Sequence, residues 1–344
     1  LCFLHHGVCP RCGTGKAEMI LSGELRDFVE LVACLGQRAG KTVVSNTLTS
    51  YWIHRILLIP PYSQMCDGIQ NFSPLTFTLV ATTYTRAQSL LWSPLQAVFE
   101  TSNFFVEYHK MLKHQGAKFG VQLMALKNSR MFYAHKNIAI GPMAPSMRTL
   151  RGDTRIGASV DELGWFPLPP VVDEDAEGNP EEVERERANA EEVYTALDRS
   201  LITIRAAVYD LYRKGYNHIP SGLGIYTSSP ASYRDKISTM LRESEGSVRS
   251  FGVNLPTWDV NPLIPRDYPD IIEAYRKNPV KADRDWGAKP PNLNAAIYSR
   301  ETLAPLFTGV NHFAVTRVVT STGKLYGRVL PLKRKWAWPG SVLA

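Results

Sequence analysis

The amino-acid sequence predicts an α/β fold with a mainly parallel central sheet and helices on both faces. Apolar strand-like segments alternate with helical segments over the first two thirds of the chain, and this alternation is typical of parallel sheets whose crossovers are helices. The first predicted strand is followed directly by the loop GQRAGKT and then by a helix. With 344 residues, the chain is long enough to bury one large core and to carry attachments.

The remaining elements follow in chain order. The first helix should end before Pro60 and Pro61, because proline cannot continue a helix. A later helix is indicated by apolar residues spaced three or four apart, from Val193 to Leu211. The sequence after Ser229 is proline-rich and irregular. The predicted elements are strand 28–34, helix 41–58, strand 75–82, helix 85–102, short strands between 120 and 160, helix 190–213, strand 222–229 and helix 267–287.

Charge is unevenly distributed along the chain. The formal net charge is +7, but residues 173–192 hold ten acids and two arginines, a net of −8 that leaves +15 for the remainder. This separation favours a polyanion-binding surface beside a solvated acidic segment, and ordinary surface charge is the alternative. No apolar run approaches the roughly 18 residues that span a bilayer, so membrane insertion is not expected. The five unevenly spread cysteines do not form a disulfide framework, which favours a reducing cytosol.

The loop after the first strand has the composition of a phosphate-binding loop. Such a loop needs small residues so that backbone N–H groups approach the phosphates, a lysine, and a hydroxyl for Mg²⁺. The first glycine comes one residue later than usual, since Leu35 occupies the standard position. The alternative is a turn that contains Gly-Lys-Thr by chance. The residues expected to bind nucleotide are Gly36, Gln37, Arg38, Ala39, Gly40, Lys41 and Thr42.

Two later segments supply groups that phosphoryl transfer requires. Asp161 and Glu162 form an acidic pair after a short apolar stretch, where one carboxylate could hold Mg²⁺ and the other could polarise the attacking water. Acids at the start of a helix are the alternative interpretation. Thr227 and Ser228 end a buried strand, where hydroxyls could contact the γ-phosphate, although any strand exit can look like this.

The order of these motifs resembles the large terminase subunit of tailed bacteriophages, the ATPase that packages DNA into procapsids. The resemblance covers roughly residues 25 to 300, and its most specific parts are the shifted loop and the Thr-Trp-Asp-Val-Asn-Pro stretch. Such terminases often have an arginine inside the loop and no glycine at the usual first position. The segments that carry the resemblance are GQRAGKT, VATTYTRAQSLLWSPLQ, MRTLRGDTRIGASVDELGWF, YTSSP, PTWDVNPLIP and KADRDWGAKPP.

This resemblance implies an ASCE-type P-loop NTPase that uses ATP and Mg²⁺. Lys41 and Thr42 would bind phosphate and Mg²⁺, Asp161 would support the metal, and Glu162 would activate water. Thr227 and Ser228 would form the motif that couples hydrolysis to movement. The implied function is translocation of double-stranded DNA into a procapsid, in the cytoplasm of an infected bacterial host. The implied partners are the portal protein, the small terminase subunit and further copies of the chain in a ring.

Arg151 matches the position at which related motors place an arginine that reaches the neighbouring subunit's site. An arginine there would stabilise transition-state charge in trans. The alternative is a surface arginine that contacts DNA phosphates together with the nearby Arg148 and Arg155.

The resemblance also sets the expected domain boundaries. A Cys/His-rich segment is expected at 1–20, an ATPase core at 21–232, a lid subdomain at 233–300, and a linker at 301–344. The linker would lead to an RNase-H-like nuclease domain, and because the sequence stops before that domain's first aspartate, nuclease activity is not expected. The upstream adenine-sensing glutamine of the family has no evident counterpart in the stretch GELRDFVELVAC.

The N-terminal segment is a candidate zinc site. The turn CPRCG presents two thiolates, Cys9 and Cys12, and Cys2 with His5 or His6 could complete a structural Zn²⁺ site. A redox pair or two incidental thiols are the alternatives.

Two other functions remain open on the sequence alone. A helicase-like, nucleic-acid-dependent ATPase would share the loop and the acidic pair, but it should have a second motor domain, and residues 232–344 offer no strand–helix repeat to supply one. The other alternative is a non-enzymatic, zinc-bearing nucleic-acid-binding protein, in which the Gly-Lys-Thr sequence occurs by chance.

Overall fold

The computed structural model describes residues 28–127, 130–166, 189–216, 219–247 and 249–291, together with the backbone of two strands nearer the C terminus. The chain divides into two compact units, Leu1–Pro291 and Asn292–Ala344. The candidate site lies in the first unit.

The first unit is built on one eight-stranded sheet. Its strands are β1 (Glu30–Leu35), β2 (Leu75–Val80), β3 (Met124–Lys127), β4 (Arg130–Tyr133), β5 (Ile138–Pro142), β6 (Arg155–Asp161), β7 (Leu223–Ser228) and β8 (Ser250–Leu255). The spatial order is β3-β4-β5-β2-β6-β7-β1-β8. β4 pairs antiparallel with β3 and β5, and the other neighbours are parallel. β7 lies between β1, which leads into the loop GQRAGKT, and β6, which ends at Asp161 and is called the acid strand.

Eleven α-helical segments of the described residues surround the sheet or follow it. They are α1 (Lys41–Leu58), α2 (Tyr62–Met65), α3 (Tyr84–Arg86), α4 (Ser93–Thr101), α5 (Asn103–Phe119), α6 (Met147–Leu150), α7 (Ala190–Arg213), α8 (Lys236–Glu243), α9 (Thr257–Val260), α10 (Pro269–Lys277) and α11 (Pro279–Asp285). A π-helical turn at Ala87–Trp92 joins α3 to α4, and 3₁₀ turns occupy Ala134–Lys136 and Leu163–Trp165.

Local sequence signals explain where the two long helices begin and end. α1 stops at Leu58, before the proline pair, as predicted. α7 begins with a capping box in which the Asn189 side chain accepts from the Glu192 N–H and the Glu192 carboxylate accepts from the Asn189 N–H.

Helices cover both faces of the sheet, which confirms the predicted α/β architecture. Successive strand residues point to opposite faces, and they enter two different core clusters: Leu79 and Ile225 belong to one, Val80 and Tyr226 to the other. The first cluster includes residues of α1, α4 and α5, and the second includes the N-terminal half of α7 together with α8.

Two features after residue 229 differ from the sequence-based expectation. β8 was not predicted, yet it pairs with β1 along its whole length. The single helix expected over 267–287 is broken into α10 and α11, because Asn278 is extended and caps α11, whose first residue is Pro279.

The second unit contains β9 (Phe313–Val319) and β10 (Leu325–Pro331), which pair antiparallel. Among the helices that the structure describes, none combines the length and the apolar character needed to cross a membrane.

Candidate active site

The loop between β1 and α1 has the backbone of a phosphate-binding loop. Gly40 precedes the first residue of α1 with a φ of 80°, and Arg38 has a φ of 61°. Glycine adopts this left-handed conformation freely, whereas arginine does so only where its surroundings hold it. A helix N-terminus offers unpaired N–H groups and a positive field, which favour an anion such as phosphate.

Packing explains why the first glycine is Gly36. A Cβ added at this position would lie less than 3.0 Å from the Thr257 hydroxyl and from the Trp286 carbonyl oxygen. Both atoms belong to segments that follow β8. The shifted glycine therefore allows the chain after β8 to approach the loop.

Lys41 lies between the loop and the end of β7. Its ammonium group donates to the Gly36 carbonyl oxygen at 3.1 Å and to the Ser229 hydroxyl at 3.4 Å. Burial lowers the pKa of Lys41, and the nearby Asp161 and Glu162 partly oppose this. Both hydrogen-bond partners are neutral oxygens, so a phosphate oxygen would be a stronger acceptor for the same ammonium group.

Asp161 is a buried carboxylate at the end of β6. Its side chain is 4 % exposed and accepts a hydrogen bond from the Thr227 hydroxyl at 3.0 Å. Burial raises its pKa, while the Thr227 hydrogen bond acts in the opposite direction. No ion pair to Asp161 occurs among the described residues. A divalent cation would compensate the cost of burying this charge, and a carboxylate is a ligand that Mg²⁺ prefers.

Glu162 follows Asp161 in the left-handed conformation, with a φ of 57°. Its carboxylate Oε2 lies 2.6 Å from Nη1 of Arg86. Arg86 belongs to α3, which follows β2, and β2 lies on the side of β6 away from β7 and β1. The ion pair therefore joins the acidic pair to the helix that follows β2. Arg86 was not predicted, and because 76 residues separate the two partners, the sequence contains no local signal for the pair.

The end of β7 contacts each of the other parts of the site. Thr227 bonds to Asp161, and the Ser228 hydroxyl accepts from the Gly164 N–H at 3.1 Å, two residues beyond Glu162. Ser229, which was not predicted, accepts from Lys41. Three consecutive hydroxyls thus touch the acid strand, the loop after the acidic pair and the phosphate-loop lysine.

The predicted residues of the phosphate loop, the acidic pair and β7 therefore converge at the carboxyl edge of the parallel strands. This edge is where open α/β sheets bind ligands. Thr42 is the second residue of α1 and is partly exposed. A hydroxyl at this position, a buried carboxylate and a left-handed glycine fit a nucleotide with Mg²⁺.

Arg151 lies apart from this edge. It is exposed and precedes the N-terminal end of β6, whereas Asp161 ends the same strand. β6, whose seven residues span roughly 20 Å at about 3.3 Å per residue, lies between them in the chain. Arg151 and Arg199 of α7 line a cavity of about 340 Å³. Arg151 is therefore not part of its own chain's site.

Arg155 is not a surface residue, which corrects its grouping with Arg151 as a DNA contact. The side chain is fully buried and donates to the Thr78 hydroxyl at 2.9 Å and to the Leu150 carbonyl oxygen at 2.8 Å. These hydrogen bonds connect the loop that carries Arg151 to β2.

The candidate zinc ligands Cys2, His5, His6, Cys9 and Cys12 lie outside the described residues. Within the part that is described, no group of three or more His, Cys, Asp or Glu residues is placed to hold a metal ion.

Comparison with solved structures finds large terminases of phages. The large terminase of a thermophilic bacteriophage, determined in complex with ADP, is 13% identical with a TM-score of 0.41 over 76% of this chain and 48% of that chain. The Thermus phage P74-26 large terminase ATPase domain is 14% identical with a TM-score of 0.39, over 80% and 98%. The HK97 bacteriophage large terminase is 14% identical with a TM-score of 0.38, over 76% and 47%. The chain spans about half the length of the first and the third of these terminases.

No curated protein sequence matches the chain. A family model does: the N-terminal P-loop domain of the uncharacterized protein MJ0330 matches residues 17–287. This range includes the phosphate loop, the acidic pair and the end of β7. The chain belongs to this family of P-loop domains and contains a P-loop NTPase domain.

Proposed function

We propose that this chain hydrolyses ATP as the motor subunit of a viral terminase and uses the energy to translocate double-stranded DNA into a procapsid. The observation that carries the ATPase part is the convergence of Lys41, Asp161 and Glu162 at one edge of the sheet. The motor part is supported by the order of sequence motifs and by the contacts that residues 227–229 make to Asp161, to Gly164 and to Lys41.

Each residue has one task in the proposed reaction. The loop N–H groups and Lys41 bind the phosphates, and Thr42 with Asp161 would hold Mg²⁺, which supplies positive charge against the developing negative charge. Glu162 accepts the proton of the attacking water. In this conformation Oε2 of the carboxylate is in contact with Arg86, so release from Arg86 would free that oxygen for the water.

The end of β7 provides a physical route from hydrolysis to movement. Lys41 donates to Ser229 when no phosphate competes for it, and the Ser228 hydroxyl holds the backbone just after Glu162. A phosphate that binds Lys41 in place of Ser229 would change the hydrogen bonding at this end of β7. Asp235, which accepts from the N–H groups of Ala231 and Ser232, would carry the change into α8.

Arg151 acts across a subunit boundary in this proposal. It precedes the N-terminal end of β6, opposite the end that carries Asp161, and its exposed position beside Arg199 suits contact with a phosphate held by a neighbouring chain. An arginine supplied in trans accelerates nucleotide hydrolysis by about 10³ to 10⁵ in well-known cases. The isolated chain should therefore be a slow ATPase that a ring, a portal protein and a procapsid accelerate.

The proposal is tested by ATP hydrolysis with and without double-stranded DNA, for the wild type and for Lys41→Ala. We expect slow wild-type hydrolysis that DNA stimulates, and no hydrolysis by the variant. DNA binding without any ATP hydrolysis would instead support the non-enzymatic nucleic-acid-binding function. Stimulation by single-stranded DNA with strand separation would support the helicase-like function.

The trans role is tested by mixing two inactive variants. Arg151→Ala chains keep an intact phosphate loop, and Lys41→Ala chains keep an intact arginine. We expect the mixture to hydrolyse ATP at mixed interfaces, and we expect the wild-type rate per chain to rise with protein concentration. A rate per chain that is independent of concentration, with no rescue in the mixture, would leave Arg151 as an ordinary surface arginine.

A further inference from the structure

The Thr-Trp-Asp-Val-Asn-Pro stretch has no role in the function described so far, although it is among the most distinctive parts of the sequence. The structure places it directly against the phosphate loop. We use the name clasp for residues 255–261, which run from the last residue of β8 through α9, together with residues 284–286 at the end of α11.

Backbone groups of the clasp hold the first half of the loop. The Gly36 N–H donates to the Leu255 carbonyl oxygen at 3.1 Å, and the Gln37 N–H donates to the Asp285 carbonyl oxygen at 2.5 Å. The two parts of the clasp are joined to each other, because the Thr257 N–H donates to the Trp286 carbonyl oxygen at 2.8 Å. These bonds do not depend on side-chain identity.

Two side chains of the clasp bind carbonyl groups of the same part of the loop. The Thr257 hydroxyl is buried and donates to the Gln37 carbonyl oxygen at 2.7 Å. The Asn261 amide donates to the Arg38 carbonyl oxygen at 2.9 Å, while its own carbonyl oxygen accepts from the Leu263 N–H at 3.1 Å. Both side chains therefore fix consecutive carbonyl groups of the loop.

The hydrogen bond from Asn261 is to Arg38, the residue with the least favourable backbone conformation in the loop. Arg38 is the non-glycine residue of the loop with a positive φ, a conformation that persists when surrounding contacts impose it. Each carbonyl group shares a planar peptide unit with the N–H group of the next residue. The hydrogen bonds to the Gln37 and Arg38 carbonyls therefore also orient the N–H groups that follow them in the loop.

The clasp also touches the loop that follows the acidic pair. The Arg284 guanidinium lies over the ring of Trp165, 5.2 Å from its centroid, and donates to the Asp285 carboxylate at 2.7 Å. Trp165 ends the 3₁₀ turn that begins directly after Glu162. One segment therefore contacts both the phosphate-binding part and the water-activating part of the site.

We propose that Thr257 and Asn261 are positioning residues that hold the phosphate loop in its nucleotide-binding conformation. This inference rests on the proposed ATPase function of the same site, but its hydrogen-exchange test does not require ATP hydrolysis. In the absence of these side-chain bonds, the loop reaches its binding conformation less often, and the apparent affinity falls by the same fraction.

The direct test is amide hydrogen exchange of residues 36–42 in the nucleotide-free protein. Thr257→Val removes the hydroxyl and keeps the shape, whereas Thr257→Ser keeps the hydroxyl. Asn261→Asp removes the N–H donor to Arg38 and keeps the acceptor for Leu263, and Asn254→Asp makes the same change at an exposed position of β8. We expect about 3- to 10-fold faster exchange in Thr257→Val and Asn261→Asp, as for the loss of one hydrogen bond, and wild-type exchange in the other two.

Steady-state kinetics provide the second readout. We expect the same two variants to raise the KM for ATP about 3- to 10-fold with kcat within about twofold of the wild type, because the chemical groups are intact. Wild-type exchange in all four variants would overturn the inference. Faster exchange with an unchanged KM would also overturn it, because the loop would then loosen without affecting nucleotide binding. If the wild type hydrolysed no ATP, the proposed function would fail, and the exchange experiment would still decide whether the clasp holds the loop.

Discussion

Arg86 offers a sharp test of how Glu162, the proposed catalytic glutamate, is controlled. Its guanidinium holds the Glu162 carboxylate at 2.6 Å, and the two side chains are 54% and 32% exposed. Exposed ion pairs are worth about 0.2 to 1 kcal/mol after solvent screening. If the carboxylate must leave Arg86 before it can accept a proton from water, the free energy of breaking this ion pair adds to the activation barrier. The substitution Arg86→Ala removes that contribution. We therefore expect basal ATP hydrolysis to rise by about 1.4- to 5-fold.

The assay is steady-state hydrolysis at saturating ATP and Mg²⁺, without DNA. Arg86→Lys is the matched control, because it keeps a cation beside Glu162 and should stay closer to the wild-type rate. Arg86→Ala combined with Glu162→Ala should be inactive, which shows that any gain uses the same carboxylate. A fall of tenfold or more in Arg86→Ala would refute the reasoning, because Arg86 would then assist catalysis.

Two further predictions concern stability. Burial raises the pKa of Asp161, so its ionised form destabilises the nucleotide-free protein as pH rises through the raised pKa. In thermal unfolding at neutral pH, Asp161→Asn should therefore raise Tm and abolish the additional stabilisation by Mg²⁺ with ATP. A lower Tm would contradict this. Burial lowers the pKa of His109 and His135 from 6.5, so the stability they contribute is complete above about pH 6.5 and is lost as pH falls through that value toward their lowered pKa. Between pH 7.5 and 5.5 the wild type should lose more Tm than a His109→Gln variant, and equal losses would exclude this histidine as a source of the pH dependence.

Much of the fold could be predicted because its signals are local. β1, α1 and the acid strand each combine an apolar run with a recognisable end: glycines before Lys41, prolines after α1, and two carboxylates after β6. Parallel strands bring their carboxyl ends to one edge, so residues far apart in sequence could be assigned to one site without knowing their side-chain contacts.

The parts that sequence did not predict depend on tertiary contacts. β8 has a partly exposed, glycine-containing sequence without an apolar run, and its pairing with β1 defines it. The contact of Arg86 with Glu162 and the burial of Arg155 depend on neighbouring strands of the sheet. Charged residues are seldom fully buried, so the sequence alone favoured a surface position for Arg155.

The most direct test of the account separates nucleotide binding from hydrolysis in two variants of the same site. Lys41→Ala should lose both ATP binding and hydrolysis, because the phosphate-binding charge is gone. Glu162→Ala should bind ATP with Mg²⁺ about as tightly as the wild type and should not hydrolyse it, because only the group that accepts the proton of water is missing. Equilibrium binding of a fluorescent ATP analogue and steady-state phosphate release measure the two steps. Wild-type hydrolysis by Glu162→Ala, or tight binding and turnover by Lys41→Ala, would contradict the assignment of this site.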